Sequence, residues 1–411
     1  VNPSGSPHSS ERAPAPQGAD VTRLLVFLTL AAFCVSINIR VTDPLLPTLA
    51  DEFATTAGKV SVVAIFYAIA HGFMQLAGGP FGDRYGKLRV ITIAAFAAAG
   101  ATAATALAAS VAQLAALRFL SGAAAAIIVP LAFAYVGDTI AYERRQVVLA
   151  RMFGGAMLGS MLGQAASGIL ADYLGWRTVF LLTGALFTVA ALGLTFARAF
   201  HARHVTRNKS AGILTDLATP FRLLRFNEPR LVLGVCAAEG AFVMSAATFL
   251  GAYLHEHFGL SFTQIGIILA LFGGGGLTYT LVAGWLIARL NERQRVTYGG
   301  LVFSLFFLAV ALTPVWQAIP IFLFICGISL LMLHNALQLR ASQMAPETRG
   351  AAMSAFAASF FLGQLGGVAV GGLLYDYLGG AAVVASGAIL FAAATLICRI
   401  GLAQLGPPLR S

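Results

Sequence analysis

Long unbroken apolar stretches fill this chain, and its polar positions gather in short clusters between them. About 20 apolar residues wound as a helix, rising 1.5 Å each, cross the roughly 30 Å of hydrocarbon in a bilayer. On that rule the pattern predicts twelve membrane-spanning helices, at about 22–42, 60–82, 88–109, 112–138, 146–172, 176–198, 230–254, 262–289, 296–313, 317–341, 350–375 and 380–402. They divide the chain into a Pro- and Ser-rich, disordered start (1–21), a six-helix bundle (22–200), a basic linker (201–229), a second six-helix bundle (230–404) and a short tail (405–411). The first apolar run, from near Leu24, is as long as a full span and leads straight into more spans, which argues against a cleaved signal peptide.

Composition agrees with a chain whose solvent is mostly lipid. Hydrophobic residues make up 58% and charged residues only 10%, with a mean hydropathy of +0.83, whereas a soluble domain carries roughly 25% charge. The net charge of +10 could suggest nucleic acid, but Lys and Arg sit in short clusters between apolar runs instead of along one stripe. Arg84, Lys87, Arg89, Arg144, Arg145, Arg151, Arg289, Arg293, Arg295, Arg340 and Arg349 all fall in alternate connections, and the opposite connections offer only Lys59 and Arg177. By the positive-inside rule the basic side is cytoplasmic, which puts both termini inside and the protein in the inner, plasma membrane. Cys34, Cys236, Cys326 and Cys398 lie in apolar segments without paired spacing, so no disulfide framework, metal site or cofactor is indicated.

The two bundles repeat. ADYLGW at 171–176 matches YDYLGG at 375–380, and the same offset carries Gly159, Gly163, Gly168, Glu143 and Arg145 onto Gly363, Gly367, Gly372, Glu347 and Arg349. One insertion further back, Gly79 and Arg84 fall on Gly284 and Arg289. A repeat of six spans has even parity, so both halves cross in the same sense, related by an axis along the membrane normal.

Between spans 2 and 3 the run from Gly79 through Asp83, Arg84, Gly86 and Lys87 to Arg89 fits the pattern GxxxDRxGxxR. On those residues the chain resembles the major facilitator superfamily, over about 22–402. The resemblance implies twelve helices in two pseudo-symmetric bundles that rock around a central path, with this loop as a cytoplasmic gate whose Asp83 faces the positive end of span 11. Asp83 and Lys87 also have the spacing of an i,i+4 pair. The second copy departs, with Ala288, Asn291 and Glu292 in place of the Asp, Gly and Lys. Arg118 and Gly122 resemble the RxxxG element of proton-coupled members. The cluster from Asp138 to Arg145 is similar to the family's charged group at the inner end of span 4, readable as part of the gate or as a solvated loop. Gly154 to Gly168 is spaced like the antiporter pattern GxxxGPxxGG, with Gln164 where that pattern has Pro. Close helix packing through small residues explains the same glycines.

Ionised groups inside spans are costly and mark function. Asp43 stands near Pro44 and Pro47 at the end of span 1, where the resembling multidrug/proton antiporters carry an acidic residue. It is expected to take up protons against Arg118 across the first half, or else to sit in water at a helix end. Glu239 lies near the midplane of span 7 and is expected to face the central path as a proton or cation site, or else to bond a neighbouring helix. Arg40, Tyr67, His71, Gln75, Gln164, Phe242, His334, Asn335 and Gln338 are the remaining candidates for the path wall. Gly273 to Gly276 in span 8 invite a bend or very close packing.

These residues point to a secondary transporter that exports a small apolar or amphipathic compound in exchange for protons, as a monomer in the bilayer. A sugar or organic-acid transporter of the same fold is the alternative. A sensor or lipid-modifying enzyme is the other class, but the chain shows no HExxH, nucleophile elbow, Walker loop or added soluble domain.

Overall fold

The structure, a computed structural model, describes residues 18–140, 142–199, 222–345 and 349–405; inside the helices, the side chains at 18–20, 79, 80, 83, 142, 143, 146, 147, 150, 198, 199 and 349–351 lie outside that description. The expected disordered start, most of the linker and the tail fall outside it as well. Every regular element among the described residues is helical. A chain in lipid must satisfy its backbone within each segment, and helices do so.

Span 1 is Gly18–Arg40 continued by Leu46–Glu52, and span 2 is Ala57–Val60 with Val62–Tyr85. Spans 3 to 6 are Lys87–Ala104, Val111–Ala126 with Ile128–Thr139, Tyr142–Leu174 and Trp176–Ala199. Span 7 runs from Asn227–Ala238 through a wider π-helical turn, Glu239–Met244, into Ser245–Phe258. Spans 8 to 12 are Phe262–Arg289, Glu292–Leu312, Ile319–Gln343, Arg349–Leu378 and Gly380–Leu405. Among the described residues, eleven of these twelve are apolar enough to cross a membrane on length and composition. Span 5 is the twelfth; glycine, Ser160, Gln164 and Ser167 replace much of the bulky aliphatic content found in the others.

Two breaks have local causes. Pro44 and Pro47 remove backbone donors, so span 1 does not stop near 42 as the apolar pattern predicts; it turns over residues 41–45 and continues to Glu52. Pro130 divides span 4 in the same way at Ile127. The glycine run of span 8 does not bend the helix. Gly273 lies against the Met161 backbone and Gly275 against the Phe324 carbonyl, so close packing is its role.

The repeat seen in sequence is a repeat of contacts. Gly159 and Gly163 let span 5 lie on the backbone of span 1 at Phe33 and Ile37. Gly363 and Gly367 do the same for span 11 on span 7 at Ala237 and Ala241, residues related to Phe33 and Ile37 by the same offset. Gly175 and Gly379, also related, turn the chain with φ of 78° and 80°, a left-handed conformation that glycine adopts without strain.

The halves meet at the end away from the basic loops. One apolar core there is continuous from Leu45 and Val60 of the first half to Phe249 and Leu254 of the second. A separate core at the basic end, around Leu28, Ile91, Leu131 and Leu194, belongs to the first half alone. Contacts across the interface continue as far as mid-span, where Gly72 lies against Phe361 and Gly276 approaches Met157.

Candidate functional site

Polar groups buried in apolar spans must find partners within the protein. In the first half the largest is Arg118, 1% exposed. Its terminal nitrogens donate to the side-chain and backbone oxygens of Asn38 at 2.6 and 2.9 Å, and its guanidinium lies 4.1 Å over the Tyr67 ring. Asn38 in turn donates to Ser121 at 2.7 Å and Thr102 at 3.3 Å. The structure thus ties spans 1, 2, 3 and 4 around one cation whose direct partners are neutral.

Asp43 is buried, which removes the reading of a helix-end residue in water. Its direct ionic partner is Arg40, at 3.3 Å, not Arg118. The turn made by the two prolines folds Asp43 back beside Arg40, while Asn38 occupies Arg118 one helical turn away. Gln164 of span 5 reaches the same Asp43 oxygen at 3.5 Å, and Arg40 also contacts the Met244 sulfur of span 7. Arg40 and Gln164 form one wall of a small cavity between the halves, faced by apolar residues of spans 7 to 10.

In the second half Glu239 is 2% exposed, in the π-helical turn of span 7. Such turns re-aim a side chain and recur at functional sites. Here the turn brings the carboxylate to His334 of span 10, whose Nδ1 lies 2.9 and 3.0 Å from the two oxygens. Phe356 and Phe360 pack around the imidazole. Glu239 and His334, separate candidates in sequence, form one pair of a buried acid and a half-buried base.

Tyr67, His71 and Gln75 recur every fourth residue on one face of span 2, and all three are buried. The Tyr67 hydroxyl, His71 Nδ1 and Gln75 Oε1 have no hydrogen-bond partner among the described residues. The His71 ring lies 4.3 Å from Phe361 of span 11, so this stripe is at the junction of the halves. Phe242 packs in span 7 over Gly387, Asn335 faces the Tyr279 hydroxyl, and Gln338 is half-buried with no described partner brought to it.

Comparison with known proteins identifies this arrangement. The model of the Major Facilitator Superfamily matches residues 28–357. The chain belongs to that superfamily. It is 25% identical to the 4-hydroxybenzoate transporter PcaK of Pseudomonas aeruginosa over 301 residues, 66% of this chain and 67% of that one. It is 28% identical to a lincomycin resistance protein of Streptomyces lincolnensis over 232 residues, 54% of this chain, and so spans about half (48%) of that relative. A human organic anion transporter of known structure superposes with a TM-score of 0.69 at 18% identity, covering 93% of this chain and 100% of the other, a likeness of fold. The superfamily's relatives are transporters, and this chain is a multi-pass membrane protein of that kind and not an enzyme.

In the superfamily loop between spans 2 and 3, Gly86 at φ 90° joins the two helices. The side chains at positions 79 and 83 lie outside the described residues. Lys87 pairs with Asp138 of span 4. Arg84 lies over the Tyr85 ring and Arg89 is exposed. Arg145 donates to the Ile140 carbonyl at 3.3 Å, at the basic-loop end of span 4.

Two features escaped the sequence reading. Arg340, counted only as a topology charge, is 3% exposed and binds Glu228 at 2.7 Å and Glu292 at 3.1 Å, joining spans 7, 9 and 10. Glu292, the departure in the second loop copy, is thereby a structural partner. Asp172 and Asp376 each reach across to the other half at the end away from the basic loops. Their place in the ADYLGW and YDYLGG copies was the available signal.

Proposed function

We propose that this chain is a proton-coupled secondary transporter that moves a small amphipathic organic compound by alternating access. The observation that carries the reading is the Glu239–His334 pair. Glu239 in the π-helical turn of span 7 and His334 of span 10 share a hydrogen bond at mid-span, where lipid-facing packing has no use for either. The Arg40–Asp43 pair of the first half supplies a second protonatable site beside the path. The Tyr67 hydroxyl, His71 Nδ1 and Gln75 Oε1, without hydrogen-bond partners among the described residues, offer polar contacts at the junction, and the facing apolar wall suits a hydrocarbon body.

The similarity to a 4-hydroxybenzoate transporter favours an organic acid. Export of an apolar compound against protons is the second reading, favoured by the similarity to a lincomycin resistance protein. The basic loops support a cytoplasmic face at that end, with both termini on it.

Reconstituted protein with a pH indicator sealed inside the vesicles tests the reading. Small organic acids and apolar drugs added outside should move protons, inward with substrate for co-transport and against it for export. Proton movement that stays at the level of empty vesicles for every compound taken up, or that persists unchanged in Glu239→Gln, retires it.

A further inference from the structure

The small cavity between the halves has two unlike walls. Arg40 and Gln164 of spans 1 and 5 form one, and Phe272, Phe303, Phe307 and Leu323 of spans 8, 9 and 10 face them. Its free volume of about 20 Å³ has room for a water while the halves are together. Asp43 is the carboxylate within ion-pair reach of Arg40 among the described residues. The other terminal nitrogen of Arg40 rests on the Met244 sulfur, a weak acceptor that a better one can replace.

We propose that this is the head-group site for an amphipathic organic anion, and that the substrate's carboxylate and ionised Asp43 compete for Arg40. The inference rests on the transport reading and names its substrate class. Arg40 and ionised Asp43 already form a neutral pair, and a second carboxylate brought to it unneutralised in a low-dielectric site is strongly disfavoured. The groups facing Asp43 are Arg40 on its own turn, Arg118 from span 4 and the neutral amide of Gln164 from span 5. Span 7 approaches the Asp43 backbone at Gly251.

The charge balance follows. Empty, the site holds cationic Arg40 with anionic Asp43; loaded, it holds cationic Arg40 with the substrate carboxylate and a protonated, neutral Asp43. The sum is the same, so one proton accompanies each anion. Gln164, freed from Asp43, donates to the second carboxylate oxygen, and the hydrocarbon body enters between the aromatic rings as spans 1 and 5 part from spans 7 and 8.

Thermal-shift and calorimetric titration of the purified full chain with benzoate, octanoate and their amides provides the test, at several values between about pH 6 and pH 8, where such acids stay ionised. An acid should bind and its amide should not. Affinity should rise as pH falls, approaching tenfold per pH unit, with about one proton taken up per anion. Asp43→Asn should bind the acid with little pH dependence and at least the wild-type affinity. Arg40→Gln should lose binding, and Arg40→Lys, which keeps the charge if the first variant misfolds, should weaken it at least tenfold. Amides that bind as well as acids, an unaltered pH slope in Asp43→Asn, or no acid bound by wild type at the lowest pH overturns the proposal. Acid binding with this pH dependence but without vesicle transport retires the transport reading and keeps the site; transport with pH-independent binding does the reverse.

Discussion

Asp172 and Asp376 stand at the same place in the two repeats, and each closes onto the helix start of the opposite half. Asp172 accepts from the backbone N–H groups of Phe262 and Thr263 at 3.3 and 2.6 Å. Asp376 accepts from the Thr56 hydroxyl at 2.9 Å and the Gly58 N–H at 3.2 Å. Gly58 has no side chain to obstruct the contact; a Cβ there would run into Asp376. An anion at a helix start is stabilised by the unpaired N–H groups and the helix dipole, by about 0.3–1 kcal/mol at an exposed site. The pair therefore favours the state in which the halves are joined at this end.

Asp172→Asn with Asp376→Asn should shift the balance toward opening at this end by roughly 1–2 kcal/mol, about fivefold or more in population. Spin labels on Lys59→Cys and Tyr377→Cys, both exposed, read the distance across the interface, because the four native cysteines are buried. Each single variant should give about half the effect. A distance distribution identical to the parent's would show that the carboxylates hold nothing closed.

The Glu239–His334 pair should respond to mutation asymmetrically. Removing one partner leaves a desolvated group without its hydrogen bond, which costs about 1–3 kcal/mol where one partner is half-buried. His334→Ala should therefore lower thermal stability more than Glu239→Gln, whose amide can still bond the imidazole. The double variant Glu239→Gln with His334→Gln should recover much of the loss while remaining uncoupled to the pH gradient. Additive losses in the melting experiment would mean that the two side chains do not depend on each other.

How much of this was legible beforehand follows from what each interaction spans. The rods were, because bilayer thickness fixes the length of an apolar run; even the interrupted span 7 reads as one segment in sequence. The continuation of span 1 past Pro44 was not, since the short helix after the turn rests on buried packing of Leu46 and Leu49. Asp43, Arg118 and Glu239 could be singled out from the cost of burying charge. Their partners could not, because Glu239 and His334 meet only through a π-turn that no local residue preference announces. Asn38 had no role assignable from sequence for the same reason: its amide matters because span 4 brings Arg118 to it.

Asn38 gives a direct test of that contact. It supplies two acceptors to Arg118 and is itself fully buried. Asn38→Ala removes the side-chain acceptor and should destabilise the chain by about 1.5–3 kcal/mol, the usual range for a hydrogen bond to a charged group. Asn38→Asp puts a carboxylate against the guanidinium and should lose less. If Asn38→Ala melts with the wild type in detergent, Arg118 is held by the backbone carbonyl at position 38 and the Tyr67 and Phe180 rings.

Arg340 holds the basic ends of spans 7, 9 and 10 by binding two carboxylates at once. Replacing it leaves the partly exposed Glu228 and Glu292 facing each other with one cation fewer, so Arg340→Gln should cost about 1–3 kcal/mol. Arg340→Lys keeps the charge but loses the planar fork that serves both partners, and should fall between. Adding Glu292→Gln to Arg340→Gln removes the repulsion and should restore part of the stability, a positive coupling in a double-mutant cycle. Because this cluster ties three helices of one half together, its loss should lower the melting temperature without separating the halves. A label pair across the interface should thus report no change, while hydrogen exchange rises in the first turns of spans 7 and 9. Exchange confined instead to the interface between spans 2 and 11 would place the role of Arg340 in gating.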